Sequence, residues 1–150
     1  MYDQALKQLG HTIELDPNYG LAYWYRGLAY EQQRRFADAL AEMRKGAALL
    51  TGIVVVSADI GHVHVAAGDR RAAERVIGEL QQEAARRYVS PFEIALIYVG
   101  IGDTNRAFEW LDKAYADRSD LLVYLKVDPR LDPIRSDRRF GELVARVGIP

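Results

Sequence analysis

Residues 20–50 read GLAYWYRGLAYEQQRRFADALAEMRKGAALL, with bulky and small side chains alternating at helical spacing on both sides of Arg34-Arg35. Gly27 lies in the first half and Ala39 in the second. Small residues at facing positions let two helices approach closely, whereas bulkier ones would overpack the contact. The segment therefore predicts two antiparallel helices, 19–33 and 36–49, joined by a turn at the two arginines.

This spacing recurs every 34 residues along the chain, with the small position at Ala5, Ala39, Ala73 and Ala107. Other equally spaced columns are Leu9, Met43, Ile77, Leu111; Gly27, Gly61, Ala95; and Tyr30, His64, Tyr98. A 34-residue period with small and aromatic columns is typical of the tetratricopeptide repeat (TPR) family, which this sequence resembles. The resemblance implies an all-α fold, a right-handed superhelix of antiparallel helix pairs in which each unit contacts its neighbours.

The columns cover nearly the whole chain, so we expect a single TPR domain over residues 1–150. The expected units are a half repeat at 1–17, repeats at about 20–53, 54–87 and 88–121, and a degenerate capping unit at 122–150. Pro129 and Pro133 should limit the first helix of the capping unit to 120–127, because proline interrupts helices. Terminal units of repeat arrays are commonly atypical.

Residues 53–67 are ambiguous. Their β-branched side chains favour a strand by propensity, whereas the 34-residue period places a helix there. We follow the period and predict a helix. For the neighbouring helices we expect N-caps at Asn18, Asp69 and Ser90, with Pro91 in the first turn after Ser90.

Composition excludes several classes of protein. The net charge of −1 gives no broad attraction to nucleic acid or anionic membranes, and no apolar run approaches the ~20 residues of a transmembrane helix. The sequence contains no cysteine, so disulfides and thiolate chemistry are excluded. We expect a cytoplasmic protein without a signal peptide.

The later half resembles a narrower group within the TPR family. The relevant segments are RYVSP at 87–91, AFEWL at 107–111, LKVDPR at 125–130 and RSD at 135–137. They resemble the C-terminal TPR segment of large bacterial regulators, in which winged-helix, protein-kinase or cyclase modules lie upstream. None of those modules is in these residues, so the resemblance implies a sensing or assembly segment, either part of such a regulator or separate from it.

In the TPR family the first helix of each unit lines a concave groove. By column, the groove here comprises Leu21, Trp24, Leu28, Glu31, Val55, Asp59, His62, Phe92, Leu96 and Val99. A clamp for a peptide carboxylate needs Lys, Asn and Arg at such positions, so this apolar set predicts an amphipathic helix or extended apolar peptide as partner. The alternative is that some members, above all Phe92 and Leu96, are core residues. We expect Trp24 to be exposed, because Tyr23 occupies the inward column.

The half repeat at the N-terminus lacks its first helix, which should leave Leu6, Leu9 and Ile13 without cover. A different function therefore competes with peptide binding, namely a self-assembling module that pairs through this helix. A two-fold homodimer is the commonest form of such pairing.

Catalysis, metal binding and nucleic-acid binding are each disfavoured. His62 and His64 lie two residues apart on a helix and point to different faces, His64 falls in a packing column, and His11 is isolated. Asp59 and His62 are three residues apart, a spacing more typical of a local hydrogen bond than of a general base. The arginine pairs near helix ends have acids close by. We expect no catalytic residue, cofactor or metal.

Overall fold

The computed structural model describes residues 2–149, and every regular element within that range is helical. The α-helices are α1 (Tyr2–Leu15), α2 (Gly20–Gln32), α3 (Phe36–Leu49), α4 (Val55–Ala66), α5 (Arg70–Glu83), α6 (Pro91–Gly100), α7 (Thr104–Ala116) and α8 (Arg138–Val147). Two 3-10 helices, η1 (Asp120–Tyr124) and η2 (Pro129–Ile134), lie between α7 and α8. The all-α prediction is confirmed.

The segment 53–67 contains α4, so the period predicted its structure better than β-propensity did. Val56 and Val63 lie on the buried side of α4 and pack with Ala39 and Met43 of α3 into one core cluster. Burial of this face compensates the lower helix propensity of valine.

The three predicted N-caps have different outcomes. Asp69 caps α5 as expected, since its Oδ1 accepts a hydrogen bond from the backbone N–H of Ala72 at 3.0 Å. The prediction of Asn18 as the N-cap of α2 is wrong, because α2 begins at Gly20 and the residue before it is Tyr19. Ser90 does precede α6, with Pro91 at the start of the helix, but its side chain makes no capping bond; its Oγ lies 3.2 Å from Ser119 Oγ.

The 34-residue period is also visible in the backbone. Arg34, Gly68 and Gly102 all have positive φ, at 59°, 78° and 79°. The residue after each donates its N–H back to the helix just completed, in the bonds Arg35 to Tyr30, Asp69 to His64 and Asp103 to Tyr98, at 2.9–3.0 Å. The same helix-ending turn therefore recurs at equal spacing, with glycine used twice to avoid the steric cost of left-handed backbone.

The alanine column has the expected burial at three of its four positions. Ala39, Ala73 and Ala107 are 0% exposed. Ala5 is exposed, and α1 contains no buried residue. Alanine thus marks a buried position in α3, α5 and α7, and an open surface in α1.

The chain divides into two compact units between Val76 and Ile77, within α5. In the N-terminal unit, α2 and α3 form a close antiparallel pair. A Cβ added to Gly27 would lie 2.5 Å from Met43 Cγ and 3.1 Å from the Ala39 carbonyl oxygen. One added to Gly46 would lie 3.1 Å from the Trp24 backbone nitrogen. Gly27 and Gly46 therefore set the distance between these helices.

An ion pair joins α2 and α3 beside this contact. Arg26 donates from Nε and Nη2 to Glu42 Oε2 at 2.8 and 2.5 Å, and Lys45 Nζ lies 3.6 Å from Glu42 Oε1. Glu42 is only 8% exposed, so its charge requires these partners.

In the C-terminal unit, α6 is the central element. Its residues from Pro91 to Val99 are all buried, and it contacts α7 and η2. Asp103 Oδ1 caps α7 by accepting the Arg106 N–H at 3.1 Å. Helix α6 therefore forms the core of the C-terminal unit.

The predicted helix at 120–127 is instead the shorter η1, and a second 3-10 helix, η2, begins at Pro129 and contains Pro133. Arg135 holds the turn between them by donating to the carbonyl oxygens of Leu125 and Asp128 at 3.2 and 2.9 Å.

Two polar contacts fasten α8 to α7. Arg139 Nη1 donates to Asn105 Oδ1 at 3.0 Å, and Arg146 Nη1 donates to Asp112 Oδ1 at 2.7 Å. The partners in each contact are 34 residues apart, which equals the period of the sequence columns.

Among the described residues, no helix combines the length and apolarity needed to cross a membrane.

The close approach of α2 and α3 can be tested at Gly27. We expect Gly27→Ala to lower the free energy of unfolding by about 1–2 kcal/mol, because overpacking against buried Met43 outweighs the gain in helix propensity. Gly78→Ala is the matched control, since a Cβ there meets nothing within 4 Å. Urea denaturation followed by circular dichroism measures both; equal or increased stability of Gly27→Ala would contradict the packing.

The N-cap of α8 predicts an acid dependence of stability. Hydrogen bonds from the Arg139 side chain and backbone lower the pKa of Asp137 from 3.8 to about 2. The carboxylate therefore stabilises the fold above its ordinary pKa, and this contribution is lost as the pH falls through the folded value.

We expect the wild type to have a higher free energy of unfolding than Asp137→Asn at neutral pH. This difference should shrink as the pH falls from ~4 to ~2. Urea denaturation at a series of pH values measures it. A difference that stays constant across this range would show that the Asp137 charge has no such role.

Candidate functional site

The predicted groove residues of the N-terminal unit lie on α2 and α4, and we call this surface the α2–α4 face. Its half-buried members are Leu21, Trp24, Leu28, Glu31 and Val55. Asp59 and His62 are buried, at 9% and 8% exposure. The face is therefore mostly apolar at its surface, with a polar pair beneath.

Trp24 links the two helices of this face. Its indole Nε1 donates to Asp59 Oδ2 at 2.8 Å, and its ring packs against the core cluster of α3 and α4. The expectation of an exposed Trp24 is only partly met, because the side chain is half-buried. The bond to Asp59 satisfies the indole N–H and fixes the ring orientation.

Tyr25 is the exposed part of the same aromatic group. Its ring stacks on that of Trp24, with centroids 5.3 Å apart and planes inclined by 15°, and the residue is 50% exposed. The sequence analysis did not single out Tyr25, because it falls between the packing columns. The sequence feature that could have identified Tyr25 is its position next to Trp24 on a helix rich in aromatic residues.

Asp59 and His62 come together because they are three positions apart on one helix. A carboxylate oxygen of Asp59 and an imidazole nitrogen of His62 lie within 4.8 Å of each other. The hydrogen bond from Trp24 shows that Asp59 serves to join α2 and α4. The other histidines lie elsewhere: His64 is buried with Nδ1 3.9 Å from Asp69 Oδ2, and His11 is exposed with Nδ1 3.6 Å from Glu14.

The remaining predicted groove residues belong to the C-terminal unit and are buried. Phe92 and Leu96 are each 1% exposed, and Val99 is 4% exposed. The core interpretation therefore applies to these three side chains, which leave a partner almost no area to contact. The sequence could not separate the two interpretations, because an apolar position at helical spacing suits either.

Glu93, which the sequence analysis did not single out, is a buried carboxylate in the first turn of α6. The helix dipole favours negative charge at this end of a helix.

The residues proposed for self-association are half-buried rather than open. Leu6, Leu9 and Ile13 have intermediate exposure, and α1 contacts α2. Gln33 Nε2 also donates to Asp3 Oδ1 at 2.8 Å, which ties α1 to the residue that follows α2. These three side chains are therefore partly covered by α2 and partly open. The exposed part of α1 carries a shallow hollow lined by Lys7, Gln8, Gly10, His11 and Glu14.

One arginine of each pair near a helix end has an acidic partner within about one turn. The N···O distances are 2.7 Å for Arg35–Asp38, 2.9 Å for Arg70–Glu74 and 2.8 Å for Arg87–Glu83. These pairs offset the positive charge locally, which reduces any electrostatic attraction to a phosphate backbone.

Comparison with protein families and with characterised proteins finds no match to this sequence.

Proposed function

We propose that this chain is a non-catalytic scaffold that binds a helix or extended peptide of another protein through the α2–α4 face. The observation that carries the proposal is the Trp24–Tyr25 stack, which is anchored by Asp59 and presents Tyr25 to solvent. Stacked aromatic side chains are frequent energetic anchors of protein interfaces, because they bury a large area and have few rotatable bonds.

Preorganisation is the physical mechanism of this proposal. The indole of Trp24 is already fixed by Asp59, so binding would not have to order it. Leu21 and Leu28 lie one helical turn from Trp24 on α2 and extend the apolar surface. A partner helix with apolar residues at i, i+3 and i+4 would match this surface. The proposed function requires no cofactor and no metal.

The TPR resemblance supports the same class of function. The 34-residue period, the equally spaced positive-φ turns and the buried alanines at 39, 73 and 107 agree with a TPR array. We accordingly propose a TPR superhelix, a role related to that of the C-terminal segments of bacterial regulators, and a cytoplasmic location.

The proposal is tested by comparing two tyrosines of equal exposure. Tyr25 is 50% exposed on the α2–α4 face, and Tyr124 is 51% exposed at the end of η1. Because both are open to solvent, neither replacement by alanine should unfold the protein. Trp24→Ala is less suitable, since it removes the bond to buried Asp59.

Proteins captured from a lysate of the source organism by the wild-type chain are identified and titrated against each variant. We expect Tyr25→Ala to weaken their affinity by about tenfold or more, as loss of an interface anchor does, and Tyr124→Ala to leave it unchanged. If every captured protein binds Tyr25→Ala as tightly as the wild type, the α2–α4 face is not the binding surface.

A second candidate function is self-assembly through α1. It is supported by the exposure of Ala5, whose equivalents in α3, α5 and α7 are fully buried, and by the partial exposure of Leu9 beside it. A second copy would cover this surface most simply by two-fold pairing.

Analytical ultracentrifugation over a range of concentrations tests this second candidate. We expect a monomer–dimer equilibrium for the wild type and a monomer for Leu9→Ser, whereas Val123→Ser, at an exposed apolar position of η1, should dimerise like the wild type. A compact wild-type monomer at the highest concentration would rule out self-assembly, while leaving peptide binding by the α2–α4 face to be judged by the tyrosine variants.

A further inference from the structure

We draw no further inference here: the strongest candidate, the buried Asp59–His62 pair that lies under Trp24 on the α2–α4 face of the N-terminal unit, belongs to the site already described, and nothing in the described residues shows what would bind to it.

Discussion

Close contact between helices at residues with little or no side chain is the constraint on which the rest of this structure depends. Gly27 and Gly46 bring α2 and α3 so near each other that a single added carbon would meet Met43 or the backbone of Trp24. Backbones held this close leave no space for a larger residue, and protein interiors do not deform easily to make it. The Arg26–Glu42 pair and the valines of α4 are arranged around that contact.

The same constraint explains where the candidate site lies. Because α2 is held against α3, Trp24 has a fixed position from which its indole N–H reaches Asp59 of α4. Tyr25 then stacks on a ring that is already fixed. Rigid placement of an exposed aromatic residue is what a preformed binding surface needs, since less conformational entropy is lost when a partner binds. The close packing of α2 against α3 thus fixes the surface on which the proposed function depends.

Much of the fold could be predicted from the sequence, because a regular period constrains many residues at once. The bounds of α3 agree with the predicted ones, and residues 55–66 form a helix despite their β-branched side chains. The helix N-caps and the candidate binding site were harder to predict. Whether Asn18 or Tyr19 precedes α2 depends on a local turn, and whether Phe92 lies in a groove or a core depends on neighbours that a column does not specify. Tyr25 falls outside every column, so its contact with Trp24 became visible only in three dimensions.

The central claim is that the alanine column occupies buried positions in α3, α5 and α7 and an open surface in α1. Replacing each alanine by leucine and measuring the free energy of unfolding in urea tests this most directly. We predict that Ala39→Leu, Ala73→Leu and Ala107→Leu each lose about 1–3 kcal/mol through overpacking, and that Ala5→Leu changes stability by less than about 0.5 kcal/mol. Tolerance of leucine at the three buried positions, or an equal loss at Ala5, would contradict the account.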